Sequence, residues 1–133
     1  MRSATWIILP VVTAPLIGCS SDSRVGIEGM VTYDGAPISI GTITFLPTVN
    51  HGIKCGGRID NGRYKIEPQF GAMPGPHRVE IHWARPTGKT YKNEFGEVFD
   101  KTEEGLPDKY HKNSTLTADI KPGMNTFNFD LER

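Results

Sequence analysis

The residues of this 133-residue chain that could do chemistry are few: four histidines, two cysteines and a scatter of carboxylates. None of His51, His77, His82 and His111 forms a zinc motif. By strand parity His77 and His82 face opposite sides. A metal-dependent or hydrolytic centre would need His51, His77 or His111 to converge with carboxylates in one cleft. Asp100, Glu103, Glu104 and Asp108 lie near one another but lack the ligand order and central glycine of a calcium loop. Cys55, followed by Gly56-Gly57, reads as a small, half-buried thiol. A reactive thiol needs an exposed basic setting, of which Lys54 and Arg58 give only a hint. There is no Gly-x-Ser-x-Gly elbow and no glycine-rich phosphate loop. The expectation is therefore no catalytic, cofactor-binding or metal-binding residue.

The remaining cysteine has a different role. Arg2 is followed by an uncharged stretch, Ala4 to Gly18, rich in Ile, Leu and Val. It is short for a membrane span, which takes about 20 apolar residues. Pro10 and Pro15 weaken it as a helix. This is the pattern of a secretory signal over residues 1–18. Its end, Leu16-Ile17-Gly18-Cys19, resembles the bacterial lipobox, which implies lipid attachment at Cys19 and a polar tether over 19–24. Acyl chains contribute about 0.8 kcal/mol per buried CH₂, so two or three of them hold a protein at a bilayer. The expected location is the cell envelope, at the periplasmic face or the outer membrane. Lys+Arg 15 against Asp+Glu 15 leaves a formal net charge of +0. This excludes the basic excess of a nucleic-acid binder.

Residues 25–133 must supply whatever surface does the work. Period-two alternation recurs between turn signals. Val25, Ile27, Gly29, Val31 and Tyr33 share one face; so do Gly41, Ile43 and Phe45; so do Val79, Ile81 and Trp83. A weaker strand spans about Lys54–Asp60, and further ones carry Tyr64 and Ile66, then Leu116, Ala118 and Ile120, then Phe127, Phe129 and Leu131. Asp34-Gly35 and Asn61-Gly62 are hairpin signals, because both positions tolerate φ > 0. About seven short strands at this spacing predict an all-β sandwich, with no helical periodicity over three turns. The exception is 84–115, which carries six basic and six acidic residues and few apolar ones. It reads as a long charged loop, either a solvated excursion or a recognition element.

The order of these pieces resembles a known family. Gly29-Met30-Val31-Thr32-Tyr33-Asp34-Gly35-Ala36-Pro37-Ile38 followed by Gly41-Thr42-Ile43-Thr44-Phe45-Leu46-Pro47 looks like the opening of carboxypeptidase-regulatory-like domains. Asp60-Asn61-Gly62-Arg63-Tyr64 and Pro74-Gly75-Pro76-His77-Arg78-Val79 resemble their later turns. Leu106-Pro107-Asp108-Lys109-Tyr110 with Ser114-Thr115-Leu116-Thr117 resembles a stretch of small planctomycete-type lipoproteins. The resemblance implies a transthyretin-like, seven-stranded sandwich. That fold also includes 5-hydroxyisourate hydrolase, but this chain ends Phe129-Asp130-Leu131-Glu132-Arg133 and lacks its C-terminal Tyr-Arg-Gly-Ser. Fold alone does not license an activity. The expected function is a lipid-anchored, non-catalytic envelope protein with a binding or structural role, its partner a protein or a polysaccharide of the envelope. The alternative is an envelope hydrolase or metal-dependent enzyme on the same fold.

Overall fold

Asp34-Gly35 and Asn61-Gly62 turn the chain as their chemistry demands. In a computed structural model describing residues 23–49 and 52–133, φ is 49° and 83° at the first pair and 49° and 79° at the second. The signal segment, Cys19 and His51 lie outside the described residues. The chain is all-β, as expected. Its strands are β1 (Ile27–Tyr33), β2 (Ala36–Pro37), β3 (Ile40–Pro47), β4 (Cys55–Asp60), β5 (Arg63–Ile66), β6 (Gly75–Lys92), β7 (Val98–Glu104), β8 (Thr117–Ile120), β9 (Asn125–Thr126) and β10 (Phe129–Leu131). Two 3₁₀ turns, Pro68–Phe70 and Asp108–Tyr110, interrupt them. Among the described residues no helix is long and apolar enough to cross a membrane.

The strands follow one hydrogen-bonded path, β10-β1-β5-β4-β3-β6-β7, with β8 beside β6, and β2 and β9 beside β1. The path is thinnest at the Asn61-Gly62 hairpin, where β4 and β5 pair through Asp60 and Arg63. On one side of it stand β5, β1 and the β9–β10 segment; on the other stand β4, β3, β6 and β8. Phe45 of β3 reaches across, its ring 6.3 Å from both Tyr64 of β5 and Phe127. Ile27, Val31, Ile43, Phe45, Ile59, Val79 and Ile81 are fully buried there. These are alternate residues of their strands, so period-two patterning has sorted the core from the surface.

Gly29 sits where the last segment approaches most closely. β1 runs parallel to β9 and to β10, and between those two strands the ladder breaks. Phe127 N–H donates to Glu28 O at 2.9 Å, while Met30 N–H is taken by the Asn128 side chain. A Cβ on Gly29 would fall 1.8 Å from Phe127 O. The same need for space holds at Gly41, whose Cβ would fall 2.2 Å from His82 O. In both cases the neighbour is backbone, of β6 at Gly41 and of the segment between β9 and β10 at Gly29.

The charged segment 84–115 is not an irregular loop through its first part. β6 continues to Lys92 and pairs antiparallel with β7, making a two-stranded arm. Its turn, Asn93 to Glu97, is closed by the Asn93 side chain, which accepts from Phe95 N–H and Glu97 N–H at 2.9 Å each. Every residue of β7 is exposed. A strand with no buried face needs no apolar alternation, so its sequence reads as solvated loop. The arm leaves the core where β1 ends, since the Trp83 ring lies 5.9 Å from that of Tyr33.

Candidate functional site

The base of the arm brings three chemically able side chains together. β6 carries His82 on its outer face, opposite to buried His77, as parity requires. The β6–β7 register sets Ala84 against Glu104, which returns β7 to the neighbourhood of His82. Gly105 follows, pressed against Trp83 so closely that a Cβ would meet the indole at 2.4 Å. The chain then curls through the 3₁₀ turn Asp108–Tyr110 to deliver His111. The His82 and His111 rings stack with centroids 4.8 Å apart and planes at 28°. One ligand atom from each of His82, Glu104 and His111 lies within 4.8 Å of the others.

Each of the three is held by a different device. Glu104 Oε1 accepts from Trp83 N–H at 3.0 Å and Leu106 N–H at 3.1 Å, leaving Oε2 to meet His82 Nδ1 at 2.7 Å. Partial burial pushes the Glu104 carboxyl up, but the backbone N–H of Trp83, the His82 hydrogen bond, the backbone N–H of Leu106 and the His82 charge outweigh it. The net effect holds it below the usual glutamate value. The carboxylate is therefore the acceptor and His82 Nδ1–H the donor. His111 is buried at 8% exposure, with Nε2 3.1 Å from Leu106 O. A carbonyl only accepts, so Nε2 carries a proton in that contact. Asp108 Oδ1 stands 3.7 Å from the same nitrogen.

The surroundings supply a shallow, open groove of about 300 Å³ beside His82, lined also by Ile40, Gly41, Thr42, Arg58 and Ala84. A larger cleft of about 830 Å³ lies elsewhere, over Glu28, Arg58, Asp60, Arg63 and Lys65, where charges of both signs face solvent. The two imidazoles and one carboxylate form a donor set suited to a divalent ion. The members differ from the histidines named above for such a centre. His77 points into the core, with Nδ1 2.9 Å from Gly75 O and Nε2 without a hydrogen-bond partner among the described residues. Of the anticipated histidines His111 takes part and His77 does not, while His51 lies outside the described residues. The signal that could have revealed His82 was its outward parity on a core strand.

Cys55 is buried, and burial pushes its thiol up to about 11. The thiol is more deeply buried than the half-buried one read from the sequence, and its raised pKa leaves little thiolate to react. Asp100 and Glu103 lie along β7 away from the cluster, with Glu103 paired to Arg85. No protein-family model matches the chain, and neither a curated protein nor a solved structure gives a match.

Proposed function

We propose that the chain is an exported, lipid-anchored, non-catalytic module of the cell envelope, a transthyretin-like sandwich that binds a partner through its β6–β7 arm. The observation that carries the reading is the arm itself. It contributes no fully buried residue, yet it sets Tyr91 and Phe99 in a ring stack 5.7 Å apart and leaves Phe95 81% exposed at the tip. Exposed aromatic rings on a protruding hairpin are what a protein or polysaccharide partner would contact, because they offer large area with few rotamers to order.

The geometry of attachment agrees. A tether of Ser20 to Arg24, fully extended, spans no more than about 18 Å. It would hold the Val25 end of the fold near the bilayer, where Val25 N–H bonds Ala72 O at 2.9 Å. The arm departs from the opposite end of β1 and so points away from the membrane. Nine residues from Ala84 to Lys92 reach about 30 Å when extended.

Two measurements test this. Cys19→Ala should move the protein from the detergent phase to the aqueous phase; unchanged partitioning refutes the anchor. A photo-crosslinking residue at Phe95 should trap a discrete envelope adduct that Tyr91→Ala with Phe99→Ala removes. Adducts no different from those at an exposed control position, Lys112, would refute the arm as the working surface. The second reading, a metal-dependent enzyme, draws on the His82, Glu104 and His111 grouping. An oxyanion donor and a substrate-sized pocket at that grouping would be needed to favour it. The groove beside His82 is shallow and open.

A further inference from the structure

We infer that His82, Glu104 and His111 form a site for one divalent transition ion of the zinc class, which ties the arm to the body and keeps an outer position open to water or a small anion. The donor chemistry points to that class. Two imidazoles and one carboxylate suit zinc and its neighbours, whereas calcium and magnesium prefer oxygen ligands alone.

The distances are within reach of an ion. Zinc holds nitrogen and oxygen ligands at about 2.0–2.2 Å, so tetrahedral ligands lie about 3.3 Å apart. The three ligand atoms already lie within 4.8 Å of one another. Closing the widest separation takes about 1.5 Å. The separation of His82 Nδ1 from Glu104 Oε2, 2.7 Å, must open by about 0.6 Å. His82 is the member that moves: its side chain is 47% exposed, and the stacked rings must splay for both lone pairs to meet one ion. In the ion-free arrangement the His82 Nδ1 proton stands between nitrogen and carboxylate, where a cation would be held. On binding, that nitrogen gives its lone pair to the ion and the neutral ring carries its proton on Nε2.

The other two members are prearranged. Glu104 is fixed through Oε1 by two backbone N–H groups, so Oε2 is presented without needing to be ordered. His111 is buried and held through Nε2 by the Leu106 carbonyl. A carbonyl on one ring nitrogen orients the ring and leaves the other as the unprotonated ligand, the usual support of a metal-bound histidine. His82 also borders the groove lined by Ile40, Thr42 and Arg58, from which a fourth ligand would enter. Arg58 is the cation there that would favour an anionic fourth ligand. Because His82 belongs to β6, Glu104 to β7 and His111 to the turn beyond, one ion would pin three segments at the root of the arm.

The test uses the full chain in detergent, stripped with a chelator and titrated with Co²⁺, then with Zn²⁺ in competition. One equivalent of Co²⁺ should bind with the visible bands of a tetrahedral site, and Zn²⁺ should displace it. His82→Ala and Glu104→Gln, both at partly exposed side chains, should each weaken binding by at least about tenfold. Zinc should also slow amide exchange at Glu104 and Leu106 in the wild type and not in His82→Ala. Binding of equal strength in wild type and His82→Ala, or no uptake by the wild type, overturns the inference. The site stands apart from the anchor-and-arm reading, and Phe95 crosslinking in chelator-treated protein lets the two fail separately.

Discussion

Replacing Gly29 with alanine places a Cβ 1.8 Å from Phe127 O, 2.7 Å from Phe127 C and 2.9 Å from Tyr64 Oη. Real Cβ contacts do not fall below 3.0 Å, so the Phe127 segment must retreat by at least about 1.2 Å. Overpacking of this kind costs about 1–3 kcal/mol. The retreat also breaks two hydrogen bonds, Phe127 N–H to Glu28 O and Tyr64 O–H to Phe127 O, at 2.9 and 2.6 Å. Tyr64 is buried, and burial pushes its phenol above the usual tyrosine range, so its hydroxyl stays protonated and needs an acceptor. Leaving it without one costs about 1–3 kcal/mol. The total, about 2–6 kcal/mol, is a large part of the stability of a domain this size. At about 4 °C per kcal/mol it lowers Tm by about 8–24 °C. Calorimetric melts of Gly29→Ala and of Gly35→Ala check this. Gly35 has φ +83° and nothing within 4 Å of an added Cβ, so its substitution costs only about 1–2 kcal/mol of backbone strain. Tyr64→Phe should cost about 1 kcal/mol alone, and in the Gly29→Ala background should cost nothing or restore up to about 2 kcal/mol by removing the unsatisfied hydroxyl. A Gly29→Ala melt within 2 °C of wild type, or an equal Tyr64→Phe effect in both backgrounds, would refute the reasoning.

Other outcomes are expected of the same structure. Phe45→Ala should destabilise by about 3–5 kcal/mol in denaturant titration, because its ring joins the two groups of strands at Tyr64 and Phe127. At pH 8 Cys55 should alkylate about 100-fold more slowly than an exposed cysteine, since burial moves its thiol from 9.0 to about 11; guanidinium should restore the rate, and rapid native labelling would contradict the burial. Glu104 is held below its usual value, so its contribution to the arm is present above the ordinary glutamate range and is lost as pH falls through the lower folded value. The Trp83 and Leu106 amide resonances should shift over that acidic interval in the wild type and stay put in Glu104→Gln.

The hairpins were legible because Asp34-Gly35 and Asn61-Gly62 carry their own conformational requirement, and both adopt it. The buried faces of β3 and β8 were legible because Gly41, Ile43 and Phe45, and Ala118 and Ile120, alternate with polar neighbours. The final strand was read on the right face but as continuous; the break at Phe127 depends on the approach of β1 at Gly29, which is a tertiary fact. The arm escaped because Lys89-Thr90-Tyr91-Lys92 and Val98-Phe99-Asp100-Lys101 have strand-forming residues but no buried side to give a period. With the arm unread, the register that sets Glu104 beside β6 was unread too. His82 and His111, 29 positions apart, meet only through that register and the turn after it.

The parallel pairing of β1 with the closing segment has a kinetic side. Val31 aligns with Phe129 and Tyr33 with Leu131, partners separated by 98 residues. The first strand has one of its neighbours only after nearly the whole domain has emerged, and closing so large a loop comes before the contacts that reward it. Such a chain folds slowly and late. On the export proposed above, that lateness would suit a chain threaded through a translocation channel, because β1 cannot take its β10 partner before residues 129–131 emerge.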